Sequence, residues 1–156
     1  MQRIPTVIDT QAEKSTPEAL VNTFKNLLEE ADYSAFLNIL GIGRFEFSRK
    51  RIFRRIFMAL CLGLWRLAMK RSAPDCSEEA YEKCLASYWP ILKDADAFMV
   101  LVRDIASFLP EKGEEDLTPM AKELFARVDC KPEHAELVGM ALFLRRLYDY
   151  FFNHLM

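Results

Sequence analysis

Histidine is nearly absent from this 156-residue chain, which has only His134 and His154. Imidazole is the side chain that changes charge near neutral pH, so most routes to acid–base catalysis or a histidine-rich metal centre are closed. Glycine is scarce too, at five residues. No phosphate-cradling loop occurs, and Gly41-Ile42-Gly43 is not followed by the rest of a dinucleotide fingerprint. GxSxG, HExxH and CxxC are all missing. The uncharged apolar run from Ile56 to Trp65 is ten residues, and a membrane span needs ~20. Behind Met1-Gln2-Arg3 there is no apolar stretch, so no secretory signal is expected. The four cysteines (61, 76, 84 and 130) then read as reduced thiols in a cytoplasmic protein. These absences lead us to expect no catalytic residue, no cofactor and no metal.

Hydrophobic residues make up 51% of the chain and charged residues 28%, a globular balance rather than a disordered one. One domain over residues 15–156 is expected, behind a flexible arm over residues 1–14. Net charge is −2, but it is unevenly spread. From Arg44 to Arg71 there are nine basic residues and one acid, Glu46, so that segment is +8 and the remainder −10. Two explanations compete: an internal match with acidic neighbours in the same fold, or a patch for an anionic partner.

The apolar spacing is helical throughout, and no strand-like alternation between turn signals occurs. Thr16-Pro17-Glu18 reads as a helix start, with Thr16 as cap. Tyr33 to Leu40 forms a second piece, closed by Gly41. Ser48 is the expected cap of a central helix running to Arg71. Ile52, Phe53, Ile56, Leu60, Leu64 and Leu67 lie on one of its faces, and Met58, Cys61, Leu62, Trp65 and Met69 on the opposite one. A helix apolar on both sides needs neighbours on both sides. Further helices are read from Ser77, with a kink or a new helix at Pro90; from Thr118, by a second Thr-Pro start; and from Pro132 to about His154, nearly buried all round. The predicted fold is all-α, a single-domain bundle of six or seven helices around the central apolar one. Ala59 and Gly63, and Ala135 and Gly139, are small residues four apart. They predict that the central and last helices cross there.

Three functional readings follow. The first is a non-enzymatic protein acting through protein–protein contact, as a homodimer or with another protein. Its interface would include Phe143, Tyr150 and Phe151 from the aromatic C-terminal helix. The second is a nucleic-acid- or anion-binding regulator using Arg44, Arg49, Lys50, Arg51, Arg54 and Arg55. The third is a small-ligand-binding or chaperone-like domain with a pocket lined by Met58, Trp65, Met99 and Phe143. A membrane-surface helix has a single apolar face, and the two apolar faces of the central helix argue against that use. Cys130 and His134 are a weak candidate for a metal, since a closed zinc site needs four ligands and no second pair is visible.

Pro132-Glu133-His134, opening an apolar helix that carries Phe143-Leu144, resembles the acidic-His helix start of the helical chaperones of molybdoenzyme maturation. The likeness covers about a dozen residues. That family has a glutamate one turn after the histidine, where this chain has Val138. No function is carried over from the likeness.

Overall fold

A computed structural model describes residues 16–88, 95–110 and 116–155. Among them are seven helices and no strand: α1 (Pro17–Glu30), α2 (Tyr33–Ile39), α3 (Phe47–Ser72), α4 (Ser77–Tyr88), α5 (Ala95–Ser107), α6 (Thr118–Arg127) and α7 (His134–Leu155). The all-α reading is thus shown, with the long apolar helix at its centre. The arm expected over 1–14, the kink or new helix expected at Pro90 and most of the acidic stretch after Pro110 lie outside the described residues.

Local chemistry explains the boundaries. The Thr16 hydroxyl accepts the Ala19 N–H at 3.3 Å, and the Asp32 carboxylate accepts that of Ala35 at 2.9 Å. Each satisfies one of the orphan donors at a helix start. The α2 helix ends where Gly41 turns left-handed, at φ 72°, and the Ile42 N–H reaches back to the Leu37 carbonyl at 3.0 Å. At the start of α7, Glu136 reaches back to the Glu133 N–H at 3.1 Å, as in a capping box.

Two expected caps are not used. Glu46, not Ser48, occupies the cap position of α3, its carboxylate taken by the Gly43 N–H. Thr118 is already inside α6, and its N–H donates to the Asp116 carboxylate at 3.0 Å.

The core is built round α3. Every residue from Ala59 to Trp65 is buried, which an α-helix achieves only if neighbours surround it. Its main neighbours are α5 and α7, with α1, α2 and α4 completing the ring. Trp65 is fully buried, with Phe24 of α1 at 5.6 Å and Phe151 of α7 at 6.0 Å, edge-on to the latter. Its indole N–H has no oxygen or nitrogen partner among the described residues, and the Cys84 thiol is the polar group beside it. A second aromatic group joins Phe36, Phe53, Phe57 and Tyr33 to Phe143 of α7.

The small residues do not mark the crossing predicted from them. A Cβ at Gly63 would meet Leu109 Cδ1 at 2.5 Å, so Gly63 admits the chain just after α5. A Cβ at Gly139 would meet nothing within 4 Å. Helices α3 and α7 pack through their large aromatic residues instead. Nor is α7 buried all round, since Val138 and Leu142 are 42% and 52% exposed. Ile52 was placed on the core face but is 59% exposed, because the face covered at this end is that of Phe53, Ile56 and Phe57, and Ile52 lies about 100° around the helix from Phe53.

Two glycine substitutions should have opposite signs. Gly41→Ala meets no atom but must hold a left-handed backbone, and should cost ~1 kcal/mol. Gly139→Ala is also unobstructed but sits in a helix, and should stabilise by up to ~1 kcal/mol. Urea denaturation of the two variants checks both.

Candidate functional site

The two ends of α3 hold their basic residues differently. Near its C-terminal end two arginines are engaged within the fold. Arg66 grips the Glu78 carboxylate with contacts of 3.0 and 3.1 Å while its guanidinium lies over the Tyr81 ring at 4.6 Å. Arg71 donates to the Tyr148 hydroxyl at 3.2 Å and covers the Phe152 ring at 5.2 Å.

The N-terminal end differs. Arg49 pairs with Glu46 at 3.3 Å and also caps the Val128 carbonyl at 3.2 Å. Lys50 donates to the Arg44 carbonyl at 2.8 Å. Both side chains therefore serve to fasten this end. Among the described residues, Arg44, Arg51 and Arg54 are exposed and no acidic partner pairs with them. Arg55 is half-buried.

Beside these arginines stand the most exposed large apolar groups of the described residues. Phe45 is 82% exposed and Phe47 68%, with Ile52 close behind in sequence. Their turn is nonetheless firmly built. The Glu46 N–H closes it onto the Gly43 carbonyl at 3.2 Å, putting Arg44 and Phe45 at its two corners. Ile42 is buried behind it, and Tyr33 of α2 donates its hydroxyl to the Lys50 carbonyl. Along α3, Phe47, Arg51, Arg54 and Met58 follow at spacings of four, three and four. This puts them on one face, within an arc of about 60°.

That face leads to a cleft of about 360 Å³ with Leu28, Tyr33, Phe57 and Met58 on its apolar walls and Glu29 and Arg54 among its polar groups. Ala31, at the elbow between α1 and α2, lines it too. On the other side of the elbow Ala31 lines a second cleft, of about 340 Å³, with Phe143, Arg146, Leu147 and Tyr150 of α7. Tyr150 donates its hydroxyl to Glu30, and the adjacent carboxylate, aided by partial burial, pushes the phenol up to about 12.

These placements separate the residues grouped from sequence. Of the expected interface, Phe143 and Tyr150 share a cleft, but Phe151 is fully buried between Phe24 and Trp65 and contributes no surface. The pocket of Met58, Trp65, Met99 and Phe143 is not assembled. Met58 and Phe143 line different clefts, Trp65 is core, and Met99 lies half-buried on α5. Cys130 and His134 are both exposed, and among the described residues no three His, Cys, Asp or Glu could together hold a metal. His134 and His154 sit at opposite ends of α7, ~30 Å apart, and cannot share a site. Burial pushes the Cys61 thiol far up and the Cys84 thiol up to about 12. Neither supplies a thiolate at neutral pH.

The role of the elbow was not readable in sequence, because Ala31 carries no signal of its own. Phe45, Phe47, Phe53 and Phe57 all lie close to the basic residues in sequence, and only the fold separates the exposed first two from the buried last two. Comparison with known proteins finds no family model that matches the chain, and no match among curated proteins or solved structures.

Thiol labelling at pH 8 should modify Cys130 promptly and half-buried Cys76, whose thiol burial also raises, more slowly. Cys61 and Cys84 should react only in denaturant; rapid modification of either in the folded protein would contradict the burial described.

Proposed function

We propose that this is a non-enzymatic helical protein that works through protein–protein contact, first of all with a second copy of itself. The observation that supports it is the surface at the α1–α2 elbow. Two shallow clefts meet at Ala31, and half-buried apolar side chains, Tyr33, Met58, Phe143 and Tyr150, line them. Phe143, Arg146, Leu147 and Tyr150 follow at helical spacing along α7, a pattern suited to receiving one face of a partner helix. Acidic Glu29, Glu30 and Asp32 line the clefts along with basic Arg54 and Arg146. A surface with both signs can meet its own copy without net repulsion.

The exposed arginines at the start of α3 support a second reading, an anion-binding function at that end. The two readings use adjoining surfaces, and Arg54 belongs to both.

Light scattering tests the first. A dimer whose mass holds at moderate salt is expected, because apolar contact is not screened as surface charge is. Arg146→Glu is expected to weaken the dimer, and Tyr150→Glu to abolish it while the helical circular dichroism stays unchanged. A monomer at every accessible concentration, with no protein partner, would remove the reading.

A further inference from the structure

We infer that the start of α3 is a docking surface for an anionic lipid bilayer, with Phe45, Phe47 and Ile52 entering the interface and Arg44, Arg51 and Arg54 meeting lipid headgroups. The inference rests on the second reading above and names its anion.

The first argument is the combination of apolar exposure and charge. Three large apolar side chains, more than half exposed, fall within the eight residues from Phe45 to Ile52. Large exposed apolar groups that cluster together mark contact sites. From Arg44 to Arg55 there are six basic residues and one acid, a local charge of +5, so the rest of the chain carries −7. An anionic surface would attract this end and repel the remainder, which orients the protein with the aromatic tip leading.

Preorganisation is the second argument. Phe45 is not exposed for want of anchoring. The Gly43–Glu46 turn, buried Ile42, and the hydrogen bonds from Tyr33, Arg49 and Lys50 hold the backbone beneath it. Inserting a fixed wedge orders little that was not ordered already.

The third argument separates lipid from nucleic acid. A single-strand binder tracks the phosphate backbone along a groove and stacks bases on aromatic faces. Here the apolar groups stand at a turn corner and on the uncovered first turns of a helix. Aliphatic Ile52 offers no stacking face. It lies about 140° around the helix from Phe47, with Arg51 between the two, so apolar and basic side chains are interleaved at this end. A bilayer interface accepts that arrangement, since apolar side chains sink between headgroups while arginines reach phosphate from the same depth. The two apolar faces that argued against a surface helix begin at Phe53 and are consumed by the core; the turns before it are a separate surface.

Sedimentation with vesicles of phosphatidylcholine alone, and of phosphatidylcholine with phosphatidylserine, tests the proposal. Binding only to the serine-containing vesicles is expected. Phe45→Ser with Phe47→Ser should weaken it more than about tenfold with no loss of helical signal, since each ring is already in water and removing it leaves no cavity. Arg51→Gln with Arg54→Gln should weaken it and remove its salt dependence. A Phe45→Trp variant should gain a blue-shifted emission component on binding, reporting insertion. Binding that survives the double Phe→Ser change would reduce the contact to charge alone and overturn the proposal. A single-stranded oligonucleotide or a DNA duplex bound more tightly than vesicles would overturn the lipid assignment while keeping the anion reading. Binding to none of these would remove both.

Discussion

The structure depends on the removal of one stretch of helix from water. Seven consecutive residues of α3, Ala59 to Trp65, are buried. No single partner can bury a helix on all sides, so this stretch demands a ring of neighbours, and the other elements are placed by that demand. Helices α5 and α7 make the most extensive contacts, and α1, α2 and α4 fill between them. Trp65, gripped by Phe24 and Phe151, is where α1, α3 and α7 meet. The hydrophobic term is proportional to apolar area removed from water, and α3 is where that area is most concentrated.

The surface follows from the same constraint by subtraction. The helix is 26 residues long, ~39 Å at 1.5 Å per residue. On its first turns only one side is covered: Phe53 is buried, while Phe47, Arg51, Ile52 and Arg54 stand in solvent. At its other end Arg66 and Arg71 find Glu78, Tyr81, Tyr148 and Phe152 within the fold. One helix thus has an end whose two arginines are engaged within the fold and an end whose arginines face solvent, and this polarity supports the anion reading of the protein.

Most of the fold was legible because it rests on local chemistry. The apolar periodicity marked α1, α3 and α7, and Thr16 and Gly41 punctuated the chain as their side chains require. Errors arose where a local signal had a tertiary competitor. Ser48 is a fine cap by composition, but Glu46 reached the turn first by bonding Gly43. Ile52 has the periodicity of a core residue, but the buried face at this end is that of Phe53, Ile56 and Phe57, and Ile52 falls at its edge. Gly63 did mark a close approach, though its partner Leu109 comes from the end of α5, which spacing within one helix cannot reveal. The site was less legible still. That Phe143 and Tyr150 share a cleft while Phe151 does not depends on how α7 is rotated against α1 and α2. The split of the arginines into matched and open ends depends on partners distant in sequence.

Native-state hydrogen exchange tests the central claim most directly, because it reads the stability of α3 residue by residue. If α3 is the hub, the amides from about Ile56 to Met69 should exchange only through global unfolding, with the free energy found by urea denaturation. Amides of the first turn should exchange through smaller local openings. Protection that is uniform along the helix, or lower in its middle than in α5 or α7, would contradict the account.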